Sequence, residues 1–336
     1  MAQVPRDPVR VCLVGLGWTG SNHFAGYSAI PDRARVVSAV VRSEAGQARA
    51  RQLGIPKILD DWRAALEDPE VEAIDFCTPG FLHADQSIAA LEAGKHVFCE
   101  APACQSGPDC RRIRWALMNH PEQVAVTGHV ARSWPTFMHA KRLVDEGAVG
   151  QVFYVSSNYA HKPDPDEYPS ARTWGRNILN HARMGVGYHS LDLIRWYAGD
   201  VFEVTGDQTD KCGIAVLHFR NGALGKVFSS GAVVRPYILS LSVYGTEGTI
   251  VCWWQANELR GYLHRSAAWE PTELERTPMH GRGSPEWIYE MTNFVDAVRG
   301  LDKPRCPMSE GVAMIETGLA IQQALDTGVR VRVVRP

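Results

Sequence analysis

Gly15, Gly17 and Gly20 stand at the spacing G-x-G-x-x-G, and the chemistry that spacing serves is the grip of a pyrophosphate. Gly15 allows a tight turn, Gly17 lets the backbone approach the phosphates, and Gly20 lets the next helix sit close to the preceding strand. Trp18 and Thr19 fill the loop between them. A helix over about Ser21–Ala29 would aim its free N–H groups and positive dipole end at the anion. About 20 residues further on, an NAD-binding unit ends its second strand with Asp or Glu, which holds the ribose hydroxyls. Here Arg42-Ser43 occupies that place. A guanidinium pairs bidentately with a 2′-phosphate, so the expected cofactor is NADP(H). NAD(H) is the alternative, with Glu44 reaching the ribose and Arg42 a solvated surface residue.

These groups need rigid elements behind them. Cys12-Leu13-Val14 is an uninterrupted apolar run suited to a strand covered on both faces. Ala34–Val41 reads as a second strand, followed by a helix over Ala45–Leu53 closed by Gly54. A short helix over Asp61–Leu66 precedes a strand over Val71–Cys77 and the turn Thr78-Pro79-Gly80-Phe81-Leu82-His83. The helix that follows, about Ala84–Ala93, stops at Gly94, and the strand His96–Cys99 runs straight into Glu100-Ala101-Pro102. Ser106 is placed to cap a helix reaching about Asn119, with Asp109 at its third position, and Gln123–Thr127 makes one more strand. Strand and helix alternate throughout, which predicts an α/β Rossmann domain with a doubly wound parallel sheet.

After a helix over Thr136–Glu146 the pattern changes. Gln151–Asn158 reads as a strand, and Ile214–Phe219 and Ala223–Ser229 flank Arg220-Asn221-Gly222, a hairpin signal. Leu239–Tyr244 and Thr249–Trp254 repeat that arrangement around Gly245–Gly248. The second domain is therefore expected to be α+β, a large, mostly antiparallel sheet with helices on one face. Helices over about Pro285–Arg299 and Ser309–Thr327 close the chain as packing elements. The expected division is a dinucleotide-binding domain over 1–128 and a substrate-binding and oligomerisation domain over 129–336. The polar, Pro-rich stretch His161–Tyr168 suits either the wall of a substrate cleft or a solvated loop.

Composition narrows the function classes. The chain has 336 residues, 45% hydrophobic and 21% charged, which is more than one core usually fills. A formal net charge of −2 with scattered Lys and Arg excludes an electrostatic nucleic-acid or membrane partner. The first residues lack an apolar h-region, so the expected location is the cytoplasm. The eight cysteines include no C-x-x-C pair and read as reduced structural thiols, with no metal expected.

Four motifs in order, G-x-G-x-x-G, T-P-x-x-x-H at Thr78–His83, A-L-E-A-G-K-H-V at Ala90–Val97 and Glu100-x-Pro102, give the chain a resemblance to the Gfo/Idh/MocA oxidoreductases. Arg132–Pro135 is similar to that family's R-x-x-P entry into the second domain, and His189-Ser-Leu-Asp192 to its H-x-x-D helix start. The resemblance covers roughly Val9 to Val334. It implies hydride transfer between NAD(P) and a sugar, cyclitol or related small hydroxyl or carbonyl compound. It also implies a homodimer or homotetramer formed through the C-terminal sheet. Thr78, Pro79, His83, Glu100 and Pro102 lie at strand ends where ligands of doubly wound sheets sit, and join the cofactor residues.

The family's proton-transfer set is the Lys of E-K-P, the His of the second motif and an Asp four residues before that His. Here the Lys position is Ala101, whose methyl can neither donate nor accept a proton, and the Asp position is Gly185. His189 remains, with an ordinary pKa of about 6.5 that suits an acid/base. Lys162, His161, His181, Tyr159 and Tyr188 are candidates to replace the lysine. Substrate is expected between the domains, against Glu100–Pro102, His161–Tyr168 and Asn177–Asp192. Two readings follow: an oxidoreductase with a rebuilt proton-transfer set around His189, or a non-redox or internal-redox descendant that binds dinucleotide as a sensor or as an enzyme with retained cofactor.

Overall fold

The computed structural model describes residues 7–162, 187–234, 237–255, 258–265, 268–278 and 284–334. Two compact units form: Met1–Ser133 with His280–Val312, and Trp134–Met279 with Ala313–Pro336. The division at 128/129 differs from this grouping chiefly in where it puts the return segment 280–312.

In the first unit β1 (Val9–Val14), α1 (Trp18–Ser28), β2 (Ala34–Val40), α2 (Glu44–Gln52), β3 (Lys57–Leu59), α3 (Arg63–Glu67) and β4 (Ala73–Phe76) alternate. They are followed by α4 (His83–Glu92), β5 (His96–Glu100), α5 (Gly107–Asn119) and β6 (Ala125–Gly128). The six strands are parallel, in the order β3-β2-β1-β4-β5-β6. β1 is buried at five of its six positions and β4 at all four, as strands covered on both faces must be. Strand order reverses between β1 and β4, which is where doubly wound sheets open a crevice for ligands. The Pro285–Val298 helix returns to pack along α1 and supplies Met291, Phe294 and Val295 to the core.

Two local expectations can be compared directly. Ser106 does cap α5: its hydroxyl accepts the Asp109 N–H at 3.2 Å and donates to the Asp109 carboxylate at 2.7 Å. The start expected for α1 was wrong by three residues. The helix begins at Trp18, with Gly17 as its extended N-cap, so Gly20 lies inside the first turn.

The second unit opens with α6 (Pro135–Asp145) and β7 (Val152–Ala160), and resumes at α7 (Tyr188–Ala198). The strands β8 (Val201–Gln208), β9 (Gly213–Phe219), β10 (Leu224–Ser230), β11 (Ile238–Gly245), β12 (Gly248–Gln255), β13 (Glu258–Arg265) and β14 (Ala268–Glu273) follow. With two short strands, β15 (Thr277–Pro278) and β16 (Val331–Arg332), these build one ten-stranded sheet. Its neighbours are antiparallel except for β7 and β10. Gly222, at φ 89°, makes the β9–β10 turn that Arg220-Asn221-Gly222 announces. Register sorts the faces. Val155, Ala215, Leu217, Val227, Leu241 and Val243 are buried on one side, where α7 crosses β7, β10 and β11. Ile214, Val216, Leu224, Tyr244 and Trp253 stand exposed on the other.

Candidate functional site

The three glycines of the first loop have different surroundings. Gly15 holds φ 99°, and a Cβ there would press on the Cys77 carbonyl oxygen at 2.8 Å. At Gly20 a Cβ would collide with the Gly15 carbonyl, so that glycine is needed for the helix to pass over the turn. Gly17 is the opposite case: no atom lies within 4 Å of where its Cβ would be, and its φ of −68° is ordinary. Above it the first turn of α1 has neither a side-chain cap nor an acidic residue, and its leading N–H groups have no helical acceptors. Open space over uncapped N–H groups is what a pyrophosphate requires, so these residues fit a dinucleotide. Trp18 stands over the loop, edge-on to Trp287 at 5.7 Å.

Arg42 lies exposed just past the end of β2. Ser43 has structural work: its hydroxyl accepts the Gly46 N–H at 3.1 Å and caps α2. Glu44 begins that helix and favours its N-terminal dipole.

The turns after β4 and β5 are clipped together by His83. Its ring is buried, with Nδ1 2.8 Å from the Pro102 carbonyl oxygen and Nε2 2.7 Å from that of Thr78. Burial holds its pKa below the ordinary histidine value, despite the two carbonyls. Thr78 donates its hydroxyl to Gln86 on α4, and Pro79 leads into the short turn before that helix. The Ala101–Pro102 peptide is cis. Glu100 turns into the domain: Oε1 accepts from His23 Nε2 at 3.1 Å, and Oε2 accepts the Ala101 N–H at 3.1 Å.

His23 is a site residue that sequence reasoning missed. It lies on α1 with no exposed surface, and its Nδ1 is 2.9 and 3.1 Å from the Asp75 carboxylate oxygens. Tyr27 donates to the same carboxylate at 3.0 Å. In sequence His23 is one polar residue on a helix whose hydrophobic face is weak. Its partners come from β4 and β5, and only the fold brings them together.

In the second unit His189 sits in the first turn of α7, half-buried. Its ring centroid is 5.5 Å from Tyr159 on β7 and 4.3 Å from Tyr188. Tyr159 in turn meets His161 at 5.3 Å and Tyr237 at 5.5 Å. Of the groups considered as replacements for the lysine, Tyr159 and Tyr188 thus meet His189, and His161 meets Tyr159. Lys162 is exposed just beyond β7, its backbone N–H donating to the Val233 carbonyl at 2.6 Å. His181, Gly185 and the stretches 163–168 and 177–186 named for the substrate lie outside the described residues. Asp192 is buried one turn into α7.

A parallel sheet in this strand order, an open glycine cradle at its switch point and a second domain on a large antiparallel sheet define a dinucleotide-dependent oxidoreductase. The family described as oxidoreductases with an NAD-binding Rossmann fold matches residues 9–128, and the GFO/IDH/MocA C-terminal domain matches 137–251. The chain belongs to the Gfo/Idh/MocA family of oxidoreductases.

Levoglucosan dehydrogenase of Pseudarthrobacter phenanthrenivorans is 27% identical over 286 residues, 72% of this chain and 73% of that protein. Myo-inositol 2-dehydrogenase of Thermotoga maritima is 24% identical over 342 residues, 95% of this chain and 96% of that one. A solved levoglucosan dehydrogenase in complex with NADH shares the fold with a TM-score of 0.85 at 23% identity, covering 98% of this chain and all of the other. None of the eight cysteines is in a disulfide. Among the described residues no helix is long and apolar enough to cross a membrane.

Proposed function

We propose that this oxidoreductase moves a hydride between a nicotinamide cofactor and a carbinol or carbonyl carbon of a sugar, cyclitol or similar small polar compound. His189 serves as its acid/base. The observation that carries this reading is the cluster at the start of α7. His161, Tyr159, His189 and Tyr188 form a chain of neighbouring rings that offers titratable groups, while Ala101 has no proton to exchange. Oxidation of a carbinol releases a hydride to the nicotinamide and a proton from the hydroxyl. The proton goes to the neutral His189 imidazole, which releases it to solvent before the next turnover.

When bound, the cofactor supplies the hydride acceptor or donor. This chain's residues hold it: the Trp18–Gly20 N–H groups at the pyrophosphate, Arg42 at a 2′-phosphate, and the turns at Thr78–Pro79 and Glu100–Pro102 beside the strand ends. A preference for NADP(H) over NAD(H) belongs to this proposal and rests on Arg42 in place of an acidic residue. So does a homodimer formed through the exposed face of the large sheet.

The replacement of the lysine by Ala101 favours one other reading, in which cofactor stays bound without net redox change. Absorbance at 340 nm with either cofactor and a panel of sugars, cyclitols and their ketones separates the two. Substrate-dependent change supports the dehydrogenase; tight cofactor binding with a flat trace across the panel supports the other.

A further inference from the structure

His23 is caught between two acids that belong to different strands. Asp75 on β4 takes its Nδ1 side at 2.9 Å and Glu100 on β5 takes its Nε2 side at 3.1 Å. Ionised carboxylates only accept, so both contacts are hydrogen bonds only if both ring nitrogens carry hydrogen, which is the imidazolium form. Each acid has further donors: the Tyr27 hydroxyl and the Cys77 thiol for Asp75, and the Ala101 N–H for Glu100. Phe98 and Trp287 wall the ring at 5.1 and 5.3 Å, so water does not compete for these bonds.

The assembly ties three pieces together. α1 carries the N-terminus that faces the phosphates, β4 ends at Cys77 beneath the Gly15 turn, and β5 ends in Glu100-Ala101-Pro102. We infer that His23 is a positioning residue: as a charged strap it fixes the Glu100–Pro102 turn to the phosphate-binding helix and so holds that turn in place for the cofactor. The inference rests on the dinucleotide-dependent reading above. It gives Glu100 a role other than proton transfer, because both its oxygens are already engaged, one by His23 and one by the Ala101 N–H.

Every charged or titratable group around His23 acts in one direction or the other. Burial pulls its pKa down, but Asp75 and Cys77 at the end of β4, through charge and hydrogen bonds, raise it well above the ordinary value. Glu100 faces it from β5, Tyr27 reaches Asp75 from its own helix, and Glu290 approaches from the Pro285–Val298 helix. Burial and then Glu100 push the Glu290 carboxyl well above its ordinary range. A raised pKa in the folded protein means that the charged strap is complete below the ordinary histidine value of about 6.5. It is lost as pH rises through the folded value.

The experiment uses the full chain. The 15N shifts of the His23 ring in wild type, followed from pH 6 to 9.5, are expected to show both nitrogens protonated at pH 7.5. NADH and NADPH are then each titrated into wild type and His23→Gln over the same range. Wild type is expected to bind its preferred cofactor at least tenfold more tightly than the variant at pH 7 and to lose that advantage as His23 deprotonates. The variant's affinity is expected to be flat across that step. A residue that only fills space would lower stability without removing a pH step from cofactor binding.

A neutral ring at pH 7.5 overturns the inference, and so does a variant with wild-type affinity and pH profile. A metal ion retained at Nδ1 with Asp75 and Cys77 would do the same, since that nitrogen would then carry no proton. If His23→Gln fails to fold, the wild-type ring shifts together with the wild-type binding profile decide. If these results come out as expected but no substrate is turned over by wild type, the strap stands and only the dehydrogenase reading fails.

Discussion

At the scale of single residues, two histidines have opposite surroundings. His189 is half-buried among aromatic rings, whereas His23 is sealed between carboxylates. His189→Ala should lower turnover by roughly 10²–10⁴-fold with little change in cofactor affinity. Ala101→Lys should not rescue that variant, because a long cation would enter space shaped around a methyl group. Steady-state kinetics and cofactor titration on the two single variants and the double variant check both statements. For His23 the sign of linkage is fixed by its raised pKa: its stabilising contribution is full below about pH 6.5 and disappears as pH climbs through the folded value. Removing the ring takes the imidazole from the buried Asp75 carboxylate and from the partly exposed Glu100, and deleting one partner of a buried pair costs about 3–5 kcal/mol. Urea unfolding of His23→Gln at pH 6 and pH 9.5 should therefore show a larger deficit at the lower pH. His189 was legible because H-x-x-D is a local motif with chemistry in it. His23, Asp75 and Glu100 were not, since 77 residues separate the histidine from Glu100 and no local pattern links them.

Among the elements, the glycine loop separates folding from binding. Gly17→Ala should fold with nearly unchanged stability, because its φ is ordinary and its Cβ meets nothing, yet it should weaken dinucleotide binding. Gly20→Ala should instead destabilise the first unit, since its methyl would strike the Gly15 carbonyl. Thermal melts and NADPH titration on both variants check the contrast, and a Gly17→Ala protein with wild-type affinity would put the phosphates elsewhere. The elements that read well from sequence carry their own boundaries: Ser106 with Asp109 at the head of α5, Gly94 after α4, and Gly222 between β9 and β10. The start of α1 read badly because three glycines suggest loop, whereas the tight approach to β1 demands that the helix already include Gly20. β8 and β13 also escaped notice. Val201–Gln208 carries Gly, Asp and Gln, and Glu258–Arg265 has charged residues at both ends, so sheet neighbours rather than local preference make them strands.

On the scale of the whole molecule, a doubly wound parallel sheet was implied by strand–helix alternation, while its short edge strand β3 and the ten-stranded order of the second sheet were not. Its parallel β7–β10 pair joins strands far apart in the chain, and hairpin signals say nothing about such pairing. That sheet's exposed face carries Ile214, Val216, Leu224, Tyr244 and Trp253. If it pairs two copies, Val216→Asp with Trp253→Asp should shift the protein to monomer in sedimentation velocity while both cofactors still bind. An unchanged mass would place any oligomer contact on another surface. In the first unit, Arg42→Ala should remove a preference for NADPH by about 1.5–3 kcal/mol, roughly a ten- to hundredfold change in the ratio of dissociation constants. Equal affinities in wild type would defeat the NADP preference without touching the dehydrogenase reading.

The most direct test of that reading follows the hydride itself. Nicotinamide cofactor deuterated at C4 is incubated with the wild-type protein and a panel of sugar and cyclitol ketones, and the reduced products are weighed by mass spectrometry. The account predicts one deuterium on the new carbinol carbon of at least one product, with the rate of its appearance falling 10²–10⁴-fold in His189→Ala. Cofactor that binds tightly yet passes no deuterium to any member of the panel would contradict it.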